Sequence, residues 1–437
     1  MTTISIDAAL DRAGTGPYQR RLLAIFGLVW TADAMQVLAV GFTAASIATS
    51  FGLTVPQALQ AGTLFFLGML IGAAICGRLA DRYGRRRVLI FTVACDALFG
   101  TLAVFSPDFT SLIVLRFLTG FAVGGTLPVD YAMMAEFLPA KNRGRWLVML
   151  EGFWAVGTLI VALTAWGVSL AGFEDGWRYI LAVNAVPALL GIGLRFLVPE
   201  SPLYLLRNGR GEEAKQVLNR ILAGNGKTQI GPDLSITTPA PIKSVGLFSP
   251  KLRQRSIMIL AIWFLVSISY YGVFTWMPPK LVAGGFGFVR GYDFLVLVAL
   301  AQLPGYALAA YGVEAWGRRP TLVTFCLLSA LGCLLFVLGN DPLSVALALL
   351  LMSFALLGTW GALYAYTPEL FPTASRGTGM GAAGAMARLG GLLAPSLMSL
   401  VISDGFELAI GIFAGLLVVA AAAALMIDAE TRDVSLS

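Results

Sequence analysis

The chain has 437 residues, 58% of them hydrophobic and 12% charged, against about 25% charged in soluble proteins, which excludes a water-soluble globular domain. Histidine is absent, and Cys76, Cys95, Cys326 and Cys333 lie in apolar runs without ligand-type spacing, which argues against zinc or redox chemistry. The net charge of +6 is compatible with nucleic-acid binding or with membrane topology, and the positions of the basic residues decide between them.

Residues 1–21 are polar, and the apolar run after them is long enough to remain as a span, so no cleavable signal peptide is expected. Apolar runs of the ~20 residues that cross a ~30 Å hydrocarbon core lie near 22–45, 58–79, 88–106, 111–136, 146–171 and 178–198. A charged segment, 199–254, follows, and its stretch 224–244 has little helical periodicity. Six more runs lie near 256–282, 292–313, 320–339, 343–367, 378–402 and 406–427, before a tail at 428–437. The 49 glycines fall inside these runs, where small residues let membrane helices approach, and a β-barrel would instead alternate apolar and polar positions in segments of ~10 residues. Cys326 and Cys333, seven apart on one predicted helix, are too distant to bridge.

The prediction is an all-α membrane protein. Twelve transmembrane helices form two six-helix halves, 22–198 and 255–427, joined by 199–254. Most of the 30 Lys and Arg fall on the two tails and on alternate loops, while the opposite loops 46–57 and 340–342 have none. By the positive-inside rule both termini are cytoplasmic.

The halves are related by a repeat. Gly84, Arg85 and Arg86 recur as Gly317, Arg318 and Arg319, an offset of 233. The same offset relates Glu136, Pro139, Arg143 and Gly144 to Glu369, Pro372, Arg376 and Gly377, Gly125-Thr126 to Gly358-Thr359, Tyr131 to Tyr364, and Trp30 to Trp263. One constant offset implies duplication, and parallel six-span halves with a midplane site between them are one way secondary transporters are built.

Gly77-Arg78-Leu79-Ala80-Asp81-Arg82-Tyr83-Gly84-Arg85-Arg86 resembles the loop 2–3 signature of the major facilitator superfamily. Pro199-Glu200-Ser201-Pro202, Ala135-Glu136 through Arg143-Gly144, and Pro368-Glu369 through Arg376-Gly377 resemble its sugar-porter and organic-ion branches. The resemblance implies a cytoplasmic gate of Asp81, Arg85, Arg86, Glu136, Arg143, Glu314, Arg318, Glu369 and Arg376, with ion pairs that hold the outward-open state and break during alternating access. The alternative is that these are solvated topology charges.

A charge inside a span costs at least ~2.5 kcal/mol on insertion scales and needs a partner or a role. Asp33, Asp96, Arg116, Asp130, Glu151 and Arg388 are of this kind, and Asp96 and Asp130 carry less weight. Asp33 lies 11 residues into its span, ~16 Å deep, and Arg116 opens span four from the opposite face. Proton-coupled sugar porters carry an acid and an arginine at matching positions. The resemblance therefore implies Asp33 as proton acceptor and Arg116 as its modulator, the alternative being a static ion pair. Glu151 stands where sugar porters usually show glutamine, and reads as a second proton site or as a neutraliser. Arg388, in Ala387-Arg388-Leu389-Gly390-Gly391, resembles a segment of organic-anion and nicotinate-type transporters, and its guanidinium suits a carboxylate; the alternative is an internal pair with Glu151 or Asp33. Trp30, Trp154, Tyr270, Tyr271, Trp276, Trp360 and Tyr364 supply aromatic surface for a flat ring, or simply packing.

Trp30 to Met35, Gly124 to Glu136, Glu151 to Gly157 and Ser269 to Trp276 carry a resemblance to the bacterial nicotinate transporter group, which is also similar to synaptic-vesicle glycoproteins and organic-ion carriers. It implies a monomer in a bacterial inner membrane, importing a small organic carboxylate, nicotinate favoured, with protons and without a bound cofactor. A proton-coupled sugar porter, a drug/proton efflux antiporter and a non-transporting membrane binding protein remain as alternatives. An enzyme is excluded by the absence of a histidine, a metal constellation, a P-loop pattern or a nucleophile–base pair.

Overall fold

The computed structural model describes residues 2–139, 143–231, 233–237, 246–284, 291–401 and 405–431. The N-terminal tail is structured: a strand, β1 (Thr2–Ser5), leads into α1 (Ile6–Ala13). The first half then comprises α2 (Pro17–Phe51), α3 (Val55–Ala58) with α4 (Gln60–Tyr83), α5 (Arg85–Val104), α6 (Phe109–Glu136), α7 (Arg143–Glu151) with α8 (Phe153–Ala171), and α9 (Gly176–Arg195). The connecting segment holds α10 (Pro202–Arg207), α11 (Gly211–Gly224) and a strand, β2 (Leu234–Thr237).

The second half repeats the pattern. It comprises α12 (Arg253–Gly284), α13 (Tyr292–Leu300) with α14 (Gln302–Ala315), α15 (Arg318–Leu338), α16 (Pro342–Tyr366), a 3-10 turn at Thr367–Glu369, α17 (Thr373–Val401) and α18 (Phe406–Leu425). Among the described residues ten spans are long and apolar enough to cross a membrane, and with α9 and α17 they make two halves of six. Glycines set the closest approaches within a half. A methyl group at Gly68, Gly72, Gly120 or Gly124 would collide with backbone of the partner helix, so α4 and α6 pack nearly backbone to backbone.

The connecting segment and the N-terminal tail form one clasp. β1 pairs in parallel with β2. The apolar face of α1 (Ile6, Ala9, Leu10, Ala13) is buried, as is that of α11 (Ala214, Val217, Leu218, Ile221, Leu222). Asn225 locks the corner: Tyr18 N donates to its Oδ1 at 3.1 Å, and its Nδ2 donates to Ala13 O at 3.1 Å and to Gln19 Oε1 at 2.8 Å.

The halves meet along α2 and α12, α4 and α17, and α8 and α13. Gly41 of α2 sits against the Phe274 and Thr275 carbonyls of α12, and Gly391 of α17 against the Phe66 ring of α4. At the end that carries the two Gly-Arg turns, a crevice of about 330 Å³ lies between the halves, lined by Arg145 and Val148 of α7, Tyr311 and Glu314 of α14, Arg318 and Glu369.

Candidate functional site

Tyr131 of α6 and Tyr364 of α16, counterparts in the repeat, meet between the halves with ring centres 5.4 Å apart. Trp30 lies against Tyr131 at 6.1 Å, and its counterpart Trp263 lies against Tyr364 at 4.8 Å. The duplicated aromatics thus converge across the pseudo-twofold axis. Trp360 packs on Trp263, Tyr270 and Tyr364 at 5.4, 5.8 and 6.0 Å, and Tyr271 packs on Tyr270 at 5.1 Å and on Phe66 at 4.6 Å. Trp154 Nε1 donates to Tyr270 Oη at 2.8 Å, a hydrogen bond from one half to the other.

The symmetry of this cage breaks in its polar atoms. Trp263 Nε1 donates to Thr367 Oγ1 at 2.8 Å, but the position matching Thr367 is Met134, and the buried Trp30 Nε1 has no acceptor among the described residues. Trp360 Nε1 and both amide atoms of Gln302 on α14 are likewise buried without partners there. Such groups each cost about 1–3 kcal/mol when unsatisfied, so a cluster of them marks a place where a ligand or water completes the bonding.

Arg388 and Glu151 supply the charges. Arg388 is 7% exposed; its Nη1 donates to Gly384 O at 3.2 Å, and it hydrogen-bonds the Tyr364 side chain. Glu151, 2% exposed on α7, faces Arg388 electrostatically from the other half. Arg388 Nε and Glu151 Oε1 have no partner among the described residues, which leaves part of the guanidinium fork available to a bound anion. The structure therefore gathers Arg388, Glu151, Trp30, Trp154, Tyr270, Tyr271, Trp360 and Tyr364, while the side chain of Trp276 lies outside the described residues. Sequence reasoning missed Gln302, an uncharged amide in an apolar run. Tyr131 was visible only as the repeat partner of Tyr364, with no signal that the two copies touch.

Arg116 and Asp33 are both buried in the first half. Arg116 Nη1 donates to Gln36 Oε1 at 2.7 Å and Nη2 to the Gln36 carbonyl oxygen at 2.6 Å, one turn from Asp33 on α2.

The gate residues form two matching clamps, each inside one half. Arg85 pairs with Glu136, which also accepts from Ser201 Oγ. Arg318 Nε pairs with Glu369 Oε2 at 2.9 Å, which also accepts from Thr431 Oγ1 at 2.6 Å. Arg86 Nε donates to Val198 O at 2.7 Å, and Arg319 Nη1 to Ile427 O at 2.9 Å. Arg143 Nη2 reaches Leu138 O at 3.2 Å and faces Asp7 and Asp11 of α1. Glu314, largely exposed, stands 3.7 Å from Arg318. The side chains of Asp81 and Arg376 lie outside the described residues. The second copy of Glu200-Ser201 is Glu430-Thr431, at an offset of 230 instead of 233, which hid it from the repeat. Beside it, Arg255 Nε donates to Asp428 Oδ1 at 2.6 Å and holds the Asp428 carboxyl below its ordinary range.

The model of the sugar (and other) transporter family matches residues 20–437. The chain is 34% identical over 433 residues to the niacin transporter NiaP of Acinetobacter baylyi, covering 98% of each, and 35% identical over 421 residues to the putative niacin/nicotinamide transporter NiaP of Bacillus subtilis, covering 96% of this chain and 98% of that one. It is 30% identical to the synaptic vesicle 2-related protein of Xenopus laevis, covering 98% of this chain and 82% of the relative. Among solved structures, the proton:xylose symporter XylE bound to 6-bromo-6-deoxy-D-glucose superposes with a TM-score of 0.76 at 21% identity, over 96% of this chain and 98% of that one.

Proposed function

The chain belongs to the sugar (and other) transporter family of the major facilitator superfamily, and on that premise we propose that it imports a small organic carboxylate, nicotinate first, by proton-coupled alternating access. The observation that carries this reading is the buried, half-satisfied Arg388 guanidinium among the aromatics of both halves. A carboxylate on the open side of that fork would compete with Glu151 for Arg388, and a flat ring would lie against Trp360 and Tyr364 with the Trp30 and Trp360 N–H groups turned to its polar atoms. Because these groups come from both halves, a ligand held by them draws the halves together. Asp33 couples the cycle by taking up and releasing a proton, modulated by Arg116, so the proton gradient supplies the drive and no bound cofactor is needed. The relatives named for niacin transport in two bacteria support the substrate class, and the alternation of Lys- and Arg-bearing loops supports a bacterial inner membrane with both termini cytoplasmic.

The deciding experiment is uptake of labelled nicotinate into proteoliposomes with and without an inward proton gradient. Accumulation that collapses with a protonophore is expected. No uptake above empty liposomes, from folded protein, would reject nicotinate. A sugar is the second reading, favoured by Gln302, whose unpartnered oxygen and nitrogen suit a hydroxyl; sugar-dependent proton entry in the same liposomes would select it.

A further inference from the structure

The first half holds a second buried charge cluster that substrate recognition does not use. Asp96 of α5, 2% exposed, lies beside Gln36 of α2: a methyl group at Gly100 would stand 2.6 Å from Gln36 Nε2 and 3.8 Å from Asp96 Oδ1, and Arg116, 3% exposed on α6, is the cation that reaches it through that amide. Arg116 is tied to α2 by its two bonds to Gln36 and lies 4.4 Å from the centre of the Phe65 ring on α4. One cation thus links four helices. Asp96 Oδ1 and Gln36 Nε2 have no partner among the described residues, so the cluster is not a closed ion pair.

A void of about 10 Å³ touches Arg116 and is otherwise lined by Val40, Thr43, Ile47, Ala58, Ala61 and Leu181. That is about the room of one water molecule. Ile47 and Ala58 lie beside the α2–α3 turn, at the end opposite the Gly-Arg turns, so the void points from that end into the first half and not into the space between the halves. Arg116 of α6 and Cys95 of its own helix reach Asp96 electrostatically, and Gln36 of α2 lies beside it at Gly100; Cys76 of α4 faces Cys95, while on α9, which also packs against α5, Asn184 donates to the Met35 carbonyl at 3.0 Å and Arg178 to the Ser106 carbonyl at 2.9 Å. Arg116 is the cation whose charge reaches Asp96.

We propose that Asp96 is a proton-exchanging acid of the transport cycle, supplied through this void on the side of the α2–α3 turn. A hydronium arriving there gives its proton to a carboxylate oxygen of Asp96, one O–H bond forming as another breaks, and leaves as water. Neutral Asp96 no longer attracts Arg116, which frees α6 to move against α5; a water on the other side then takes the proton, the O–H bond of Asp96 breaking as hydronium forms, and the pair is restored. A static pair would fix the helices relative to one another without any such consequence. The inference rests on the proton-coupled reading above.

The test compares gradient-driven accumulation with gradient-free exchange of labelled nicotinate, across external pH, in proteoliposomes of the full chain. Asp96→Asn should retain exchange, lose accumulation above the outside concentration, and lose the dependence on external pH; Asp96→Glu should restore accumulation with a displaced pH profile. Accumulation by Asp96→Asn with the parent's pH profile would overturn the proposal. If Asp96→Asn does not fold, Ala61→Leu, which fills the void and leaves every charge in place, decides: slowed accumulation with intact exchange supports the proposal, and unchanged accumulation overturns it. A parent protein that takes up nicotinate without any proton gradient effect would instead defeat the coupled reading from which the inference starts.

Discussion

Removing the Arg388 guanidinium leaves the Glu151 carboxylate buried without the cation that faces it, and a buried pair that loses one partner is destabilised by about 3–5 kcal/mol. Arg388→Ala is therefore expected both to lower the melting temperature and to abolish carboxylate uptake. The double variant Arg388→Ala/Glu151→Gln should recover most of the lost thermal stability and none of the uptake. Melting curves and uptake on the same preparations check this; a double variant as unstable as the single one would show that Glu151 is not what Arg388 neutralises. The charged members of the site were legible because an ionised group interrupts an apolar run at a cost that demands a role. Gln302 and Gln36 were not, since an amide barely disturbs hydropathy: Gln302 is revealed by burial of both amide atoms without a partner among the described residues, and Gln36 by the Arg116 guanidinium that bonds it. The Tyr131–Tyr364 contact needed both halves to be folded.

At the scale of elements, α5 and α15 each begin after a glycine with φ near +100°, Gly84 at +102° and Gly317 at +105°, and neither helix has a capping side chain of its own. The missing caps come from far along the chain. Glu200 accepts from Arg86 N at 3.2 Å, and Glu430 accepts from Arg318 N and Arg319 N at 2.9 and 3.0 Å. A carboxylate there satisfies orphan N–H groups and the positive end of the helix dipole. Glu430→Ala should thus cost about 1–2 kcal/mol and loosen residues 427–431, seen as a lower melting temperature and faster proteolysis of the C-terminal tail. Glu430→Gln, which keeps an acceptor, should cost less; equal losses in the two would mean that charge alone matters. The signature at 77–86 was readable because its glycine and arginines are contiguous. The cap at 430 was not, because three residues fewer separate it from its counterpart. β1 was illegible for a related reason: a four-residue segment with a single apolar side chain, Ile4, forms a strand only beside β2, more than 200 residues away.

For the whole molecule, duplication shaped the cage symmetrically but the charges unequally. The positions matching Asp33, Asp96 and Arg116 hold Val266, Ser329 and Leu349, so these buried charges have no copy in the second half, which contributes Arg388 instead. On the proposed alternating-access reading the halves move as two bodies about the aromatic axis, and the α2–α12 contact is where that motion can be blocked. A methyl group at Gly41 would lie 2.7 Å from the Thr275 carbonyl oxygen of the opposite half, so any side chain there prevents this approach while leaving each half's interior untouched. Gly41→Leu is expected to melt near the parent temperature and to bind nicotinate, read by tryptophan fluorescence, yet to lose both net uptake and exchange. Gly68→Leu is the contrasting case: it pushes α4 off α6 inside one half and should unfold the protein instead of trapping it. If Gly41→Leu transports like the parent, the halves do not need this contact to complete a cycle, and the closing surface must lie along α4–α17 or α8–α13.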